Sequence, residues 1–324
     1  MAIAGTGDKA DHVVMDSHLR RRMIDLLREL APAEGYTLTP LSDVRLLRSD
    51  RPLSRTPVLY EPGIVVVVQG RKRGLLGDEV FVYDAEHYLV VSVPVPFTME
   101  TDASADEPLL AIYFRLDHGM AADLCMRIDE RQGSSTASPR GLYASPMEDA
   151  LAVSVLRLLE ALARPPEADV LGPALVREIY YRILSGAQGG SLRAALAQQG
   201  KFGMVARAIR MIHSRYRDAL SVDELADEAA MSAPTFHAHF RAMTGTSPMR
   251  YVQSTRLHQA RLLMLRQHAT AAAAATAVGY ESASQFSREF KRLFGRPPVE
   301  EVERMKRNFA LPAAMTPSPY VSSH

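Results

Sequence analysis

Two stretches of this chain repeat one pattern at the same offsets: Ser232, Phe236, Phe240, Gly245 and Pro248 return fifty positions later as Ser282, Phe286, Phe290, Gly295 and Pro298. Each copy carries the marks of a single helix. A serine stands where a side chain can cap the first free amides, two phenylalanines lie one turn apart on one face, and a glycine follows the last turn. Ahead of the first copy, Ser221 and Glu224 have capping-box spacing and open a short helix through Ala230, leaving Met231–Ser232 as a tight turn. Helix, tight turn, second helix is the arrangement that lays a recognition helix in the DNA major groove. A purely helical core would account for the four phenylalanines but not for the polar face between them.

The run SVDELADEAAMSAPTFHAHFRAMTGTSPMRYV, followed by VGYESASQFSREFKRLFGRPP, resembles the double helix-turn-helix domain of the AraC/XylS family of bacterial transcription regulators. The resemblance covers Lys201 to Pro298. It implies a sequence-specific DNA-binding regulator, by family weight an activator, that acts on double-stranded DNA and RNA polymerase. The first recognition helix departs from the family pattern, with Pro234 and Ala238 where larger readers often stand.

The formal net charge of +1 hides an asymmetry. Residues 201–309 hold 17 Lys and Arg against 10 Asp and Glu, while the rest holds 21 against 27, so the two parts sit near +7 and −6. One part is fitted to phosphates and the other is not. No run is long enough to cross a bilayer and the N-terminus lacks the apolar stretch of a signal peptide, so a cytoplasmic protein with no membrane partner is expected. The single cysteine, Cys125, has no second thiol to pair with and is expected to be inert.

At 324 residues and 47% hydrophobic, the chain has room for two domains. Residues 1–16 and 310–324 read as disordered tails, 17–185 as a sensor domain, 186–200 as a linker and 201–309 as the DNA-binding domain. Within 17–185, Ser17 to Leu30 is an amphipathic helix whose Arg20, Arg21 and Arg22 form a solvated face. From Tyr36 to Asp117 short strand-like runs alternate with turn residues and no helix intervenes, which predicts a small β-barrel or sandwich. The segment PLSRTPVLYEPGIVVVVQGRKRGLLG resembles the cupin-like N-terminal domain of one AraC subgroup. The expected fold class is therefore α+β: an N-terminal cupin-like β-barrel with flanking helices, then an all-α double helix-turn-helix domain.

Such barrels hold small ligands in their mouths, and an effector of unknown identity is expected here. The pocket candidates are Tyr60, Glu61, Tyr83, His87, Tyr88, Met99 and Tyr113. Catalytic cupins need several converging metal donors, and Tyr36 to Asp117 offers one histidine, His87, so no metal, cofactor or enzymatic activity is expected. His118 to Glu130 reads as a helix, Gln132 to Pro146 as a polar loop, and Met147 to Ala163 and Leu171 to Leu184 as an antiparallel pair interrupted by Pro165 and Pro166. Their apolar stripes must be buried either on the barrel or on a second subunit, so residues 147–185 are a candidate homodimer seam.

Subtracting the phenylalanine stripes leaves the candidate readers. In the first helix these are Pro234, Thr235, His237, Ala238 and Arg241; in the second, Ala283, Ser284, Gln285, Ser287, Arg288 and Lys291. Arginine can grip guanine through two bonds, glutamine can do the same for adenine, and alanine can meet a thymine methyl. Arg241 and Lys291, one turn further along, are placed for phosphate. Two rivals stand beside a ligand-responsive regulator: a constitutive DNA-binding protein whose barrel only oligomerises, and a cupin enzyme fused to a DNA-binding domain.

Overall fold

The computed structural model describes residues 16–197 and 200–308. The expected tails fall outside them, apart from Asp16, whose carboxylate accepts the amides of His18 and Leu19 and so caps the first helix. In chain order the elements are α1 (Ser17–Leu30), β1 (Gly35–Leu38), β2 (Val44–Ser49), β3 (Leu53–Tyr60), β4 (Gly63–Gln69), β5 (Arg71–Leu76), β6 (Glu79–Asp84), β7 (His87–Val91), β8 (Val95–Asp102), β9 (Leu109–Arg115), α2 (His118–Gln132), β10 (Leu142–Pro146), α3 (Asp149–Leu162), α4 (Pro165–Ser185) and α5 (Gly189–Leu196). Then follow α6 (Gly200–Arg215), α7 (Val222–Glu228), α8 (Ala233–Thr244), α9 (Pro248–Arg266), α10 (Ala271–Ala277), α11 (Ala283–Phe294) and α12 (Pro298–Asn308).

The strands form one ten-stranded antiparallel sheet in the order β1-β2-β9-β4-β7-β6-β5-β8-β3, with β10 added on β7. The sheet curls, and both faces are covered. Ile64, Val66 and Val68 of β4 and Leu110, Ile112 and Phe114 of β9 pack with α1 to α4, while Val65, Val67, Ala111 and Tyr113 turn to the other side. A strand buried on both faces needs no polar alternation, which is why β4 reads as an unbroken apolar run.

Three expectations are corrected. The polar loop ends in a strand, β10, whose five residues pair with β7 from Leu142↔Val91 to Pro146↔His87; a five-residue strand ending in proline leaves little pattern to detect. Pro165 and Pro166 do not interrupt a helix pair; they start α4, where their missing amides cost no hydrogen bond. The apolar stripes of α3 and α4, including Leu151, Val155, Leu158, Leu175, Ile179 and Ile183, are buried against this chain's own sheet, so they are not a dimer seam. Outside those stripes Val170, Leu171 and Tyr181 remain exposed. The expected linker contains α5, with Leu192 and Ala195 buried.

Candidate nucleic-acid interface and ligand chamber

The capping box is present: the Ser221 side chain accepts from the Glu224 amide at 3.2 Å, and the Glu224 carboxylate accepts from the Ser221 amide at 2.9 Å. It opens α7, which with α8 makes the first helix-turn-helix; α10 and α11 make the second. Gly245 and Gly295 both adopt left-handed φ, +69° and +79°, and end α8 and α11. The serines differ. Ser282 accepts the Gln285 amide, whereas the Ser232 hydroxyl is turned to the Thr235 hydroxyl and caps no amide.

Both phenylalanine stripes are fully buried. Phe236 stacks edge-on to Phe240, and Phe240 in turn to Tyr251 of α9; Phe290 lies 4.4 Å from Phe294 between ring centres. The positions left exposed are the candidate readers: Pro234, Thr235, His237, Ala238 and Arg241 on α8, and Ala283, Ser284, Gln285, Ser287, Arg288 and Lys291 on α11. Their surroundings differ. Ala238 and Arg241 line a cleft shared with Asp78 and Glu79 at the β5–β6 turn and with Arg140. On α11 Glu289, Arg292 and Leu293 line a groove against Pro57, Val58 and Phe97. The Gln285 side chain donates to Glu289, which also accepts from the Tyr280 hydroxyl at 2.7 Å.

At 1.5 Å per residue, α9 spans about 28 Å and joins the two motifs. Two buried polar contacts tie it to the sheet. The Tyr251 hydroxyl donates to the Pro94 carbonyl at 2.9 Å and so must accept from His213 Nε2, 2.8 Å away, which assigns the proton to that nitrogen. Burial pushes His213 down to about 3, so its ring is neutral. Ten residues on, Arg261 donates to the Pro57 carbonyl at 3.2 Å, lies 4.3 Å over the Phe294 ring and pairs with Glu301 of α12, which also accepts from Arg304. Proline lacks an amide and is tolerated in an edge strand, and Arg261 satisfies the exposed carbonyl there.

Inside the curl, Tyr60, Tyr83, Met99 and Tyr113 share one buried cluster. The Tyr60 hydroxyl points to Met99 sulfur at 3.5 Å, its ring meets Phe97 edge-on at 4.8 Å, and the Tyr113 hydroxyl donates to the Pro62 carbonyl. Glu61 is buried beside them, 3.6 Å from Arg45. Tyr88 is a correction: its side chain packs with the helices on the opposite face, because it lies one position out of phase with Leu89 and Val91. His87 stands at the β6–β7 turn beside Asp84, partly in solvent. Two buried cations escaped the sequence reading, Arg45 and Lys72. A charge between Val44 and Leu46, or one between Arg71 and Arg73, gives no sign in the sequence of being buried.

Cys125 is buried in α2, and burial pushes its thiol up to about 11, which keeps it from ionising near neutrality. Among the described residues no three His, Cys, Asp or Glu side chains converge, and no helix is long and apolar enough to cross a membrane.

Against known families, residues 40–191 match the N-terminus of AraC-type transcriptional regulators and residues 225–320 match a helix-turn-helix domain, one match for each half of the architecture. The chain belongs to the AraC/XylS family. It is 38% identical over 95 residues to an AraC-like transcription regulator of Streptomyces lividans, covering 29% of this chain and 31% of that protein. It is 29% identical over 143 residues to the transcriptional activator RhaS of Yersinia pestis, covering 44% of this chain and 51% of RhaS. The chain thus spans between a third and a half of these relatives' length. Among solved structures, ToxT of Vibrio cholerae with a bound unsaturated fatty acid superposes with a TM-score of 0.54 over 85% of this chain and all of ToxT, at 10% identity, and its apo form with 0.54 over 84% of this chain and 99% of that one, at 11%. At that identity the likeness is one of fold. The expected α+β architecture is observed as a curled half-barrel followed by the helical DNA-binding region.

Proposed function

We propose that this chain is a one-component transcription regulator whose half-barrel senses a small molecule and whose α8 and α11 read neighbouring stretches of major groove. The observation that carries it is the pair of helices with one sequence pattern, each with a buried phenylalanine face and an exposed reader face, joined by a single α9 about 28 Å long. That length suits one DNA turn, about 34 Å between successive major grooves. RhaS is an activator by name, which favours activation and contact with RNA polymerase here. A ligand-bound ToxT of the same fold supports the sensing role of the barrel. A homodimer through 147–185 would use Val170, Leu171 and Tyr181, the apolar side chains left outside the core, and a cytoplasmic location follows from DNA as the partner.

The test is selection of genomic DNA fragments on the purified chain, repeated with Arg288→Ala at the same salt. Two-part sites one turn apart, blurred at one position by the substitution, are expected; no enrichment at any salt would reject the reader. Sensing is tested by adding a low-molecular-weight cell extract, since a ligand at a hundred times its Kd stabilises by about 2.7 kcal/mol.

A further inference from the structure

The two halves of the DNA-binding region have separate cores. Phe236 and Phe240 pack with α6, α7 and the start of α9, up to Tyr251 and Val252, whereas Phe286 and Phe290 pack with α10, α12 and α9 from Leu257 onward. Arg256 stands at the boundary between them. Its guanidinium donates through Nε to the Tyr216 carbonyl at 2.6 Å, through Nη2 to the Asp218 carbonyl at 2.7 Å and through Nη1 to the Gly279 carbonyl at 3.4 Å. The first two carbonyls follow the end of α6, which packs on α7 and α8; the third follows the end of α10, which packs on α11.

The last carbonyls of a helix have no partner within it, and a cation beside them also meets the negative end of the helix dipole. Here two helix ends converge on one planar fork of donors, which a lysine, as a point charge, does not reproduce. The ends also touch. Gly279 has φ +88°, and a Cβ there would stand 2.3 Å from the Arg217 carbonyl oxygen, so only glycine lets the turn of the second motif lie against the loop that follows α6. Tyr216, at the start of that loop, is buried with Ala274, Ala275, Val278 and Tyr280 of the second motif. The chain of contact thus runs from α8 through α6 to Arg256, and from Arg256 through α10 to α11.

We infer that Arg256 is a positioning residue: it fixes the angle and distance between α8 and α11, and with them the number of base pairs this chain accepts between the two halves of its site. The inference rests on α8 and α11 being major-groove readers. One extra base pair moves the second half-site about 3.4 Å along the duplex and turns it roughly 35° around the axis. Two helices locked through Arg256 cannot follow that step. Two helices joined by α9 alone can, by swinging at the boundary between the two cores.

The experiment uses the full chain and the two-part site that the wild type selects, resynthesised with one base pair added or removed between its halves. Wild-type affinity should fall about tenfold with either change, comparable to a mismatched base pair. In Arg256→Met the same changes should cost about threefold or less, with Arg256→Lys between the two. A variant that only weakens the fold lowers binding by one factor at every spacing. A second measurement needs no DNA. With Cys125→Ala, His237→Cys and Ser287→Cys, spin labels sit on exposed positions of α8 and α11; their distance distribution by electron paramagnetic resonance, narrow with Arg256, should be about twofold wider in Arg256→Met. If Arg256→Met does not fold, Arg256→Lys carries both measurements. A wild type indifferent to spacing, or a penalty or width unchanged by the substitution, overturns the inference and leaves the readers standing. A wild type that selects no two-part site rejects the readers and the inference with them.

Discussion

In α8 two reader positions, Ala238 and Arg241, line a cleft with the acidic β5–β6 turn, whereas in α11 the groove against β3 and β8 is lined by Glu289, Arg292 and Leu293, none of them a reader position, and Ser287, Arg288 and Lys291 are exposed. The two helices share a sequence pattern, a buried stripe and a left-handed glycine cap. Beyond the capping serine, they differ in what their surroundings cover. A repeat therefore fixes the helix and its core-facing side, while the neighbouring barrel decides whether the outward side is available. On the proposed reading, α11 presents its outward face with no strand turn beside it, whereas the β5–β6 turn stands next to Ala238 and Arg241 of α8.

The two anchors of α9 give the sharpest ways to break that contrast. Glu301→Ala strands the fully buried Arg261 and should cost about 3–5 kcal/mol in chemical denaturation, with amide exchange rising first around α11 and α12. Retained stability would mean that the second half is held by its phenylalanines alone. Arg288→Ala should lose about 1–3 kcal/mol of discrimination at one base position, whereas Arg241→Ala should mainly reduce the salt slope of binding by about 1. Equal, position-specific losses from both would erase the difference between the helices.

Tyr251→Phe removes the hydroxyl that links His213 to Pro94 and should cost about 1–3 kcal/mol, read by Tm, while leaving α11 protected from exchange. Acid acts on the same anchor. His213 is held neutral in the folded chain, with a pKa near 3, but takes a proton near 6.5 once unfolded, so stability should fall as pH drops below 6.5, by about 1.4 kcal/mol at pH 5.5. His258, also lowered by burial and then by Arg261, acts in the same direction. A flat stability profile between pH 7 and 5.5 would show that these rings take up protons as readily in the folded chain as in the unfolded one. The smallest effect separates the two caps: Gly245→Ala and Gly295→Ala both strain a left-handed position, but only at Gly245 would the new Cβ meet Leu76, 2.7 Å away. An extra loss of about 1 kcal/mol is expected there, abolished in a Leu76→Ala background.

Local chemistry made much of this legible in advance. Ser221 and Glu224, the glycine caps and the phenylalanine spacing are short-range signals, and the helices they announce begin and end within a few residues of the expected places. Long-range packing was not legible. Nothing in the sequence around Ser232 says that its hydroxyl turns to Thr235 instead of capping. Alternation also cannot say which face of β7 lies inward, so it groups Tyr88 with residues of the opposite side, and it leaves the burial of Arg45 and Lys72 unannounced.

The two proline carbonyls that receive Tyr251 and Arg261 lie at the β3–β8 edge, and their donors stand ten residues apart on one rigid helix, about 15 Å along the axis and roughly 80° around it. A rod fastened at two points of different azimuth can neither spin nor slide by a small amount; any such motion breaks a buried hydrogen bond at once. A rearrangement of α9 on this sheet is therefore all-or-none, one set of buried bonds exchanged for another, and not a graded tilt.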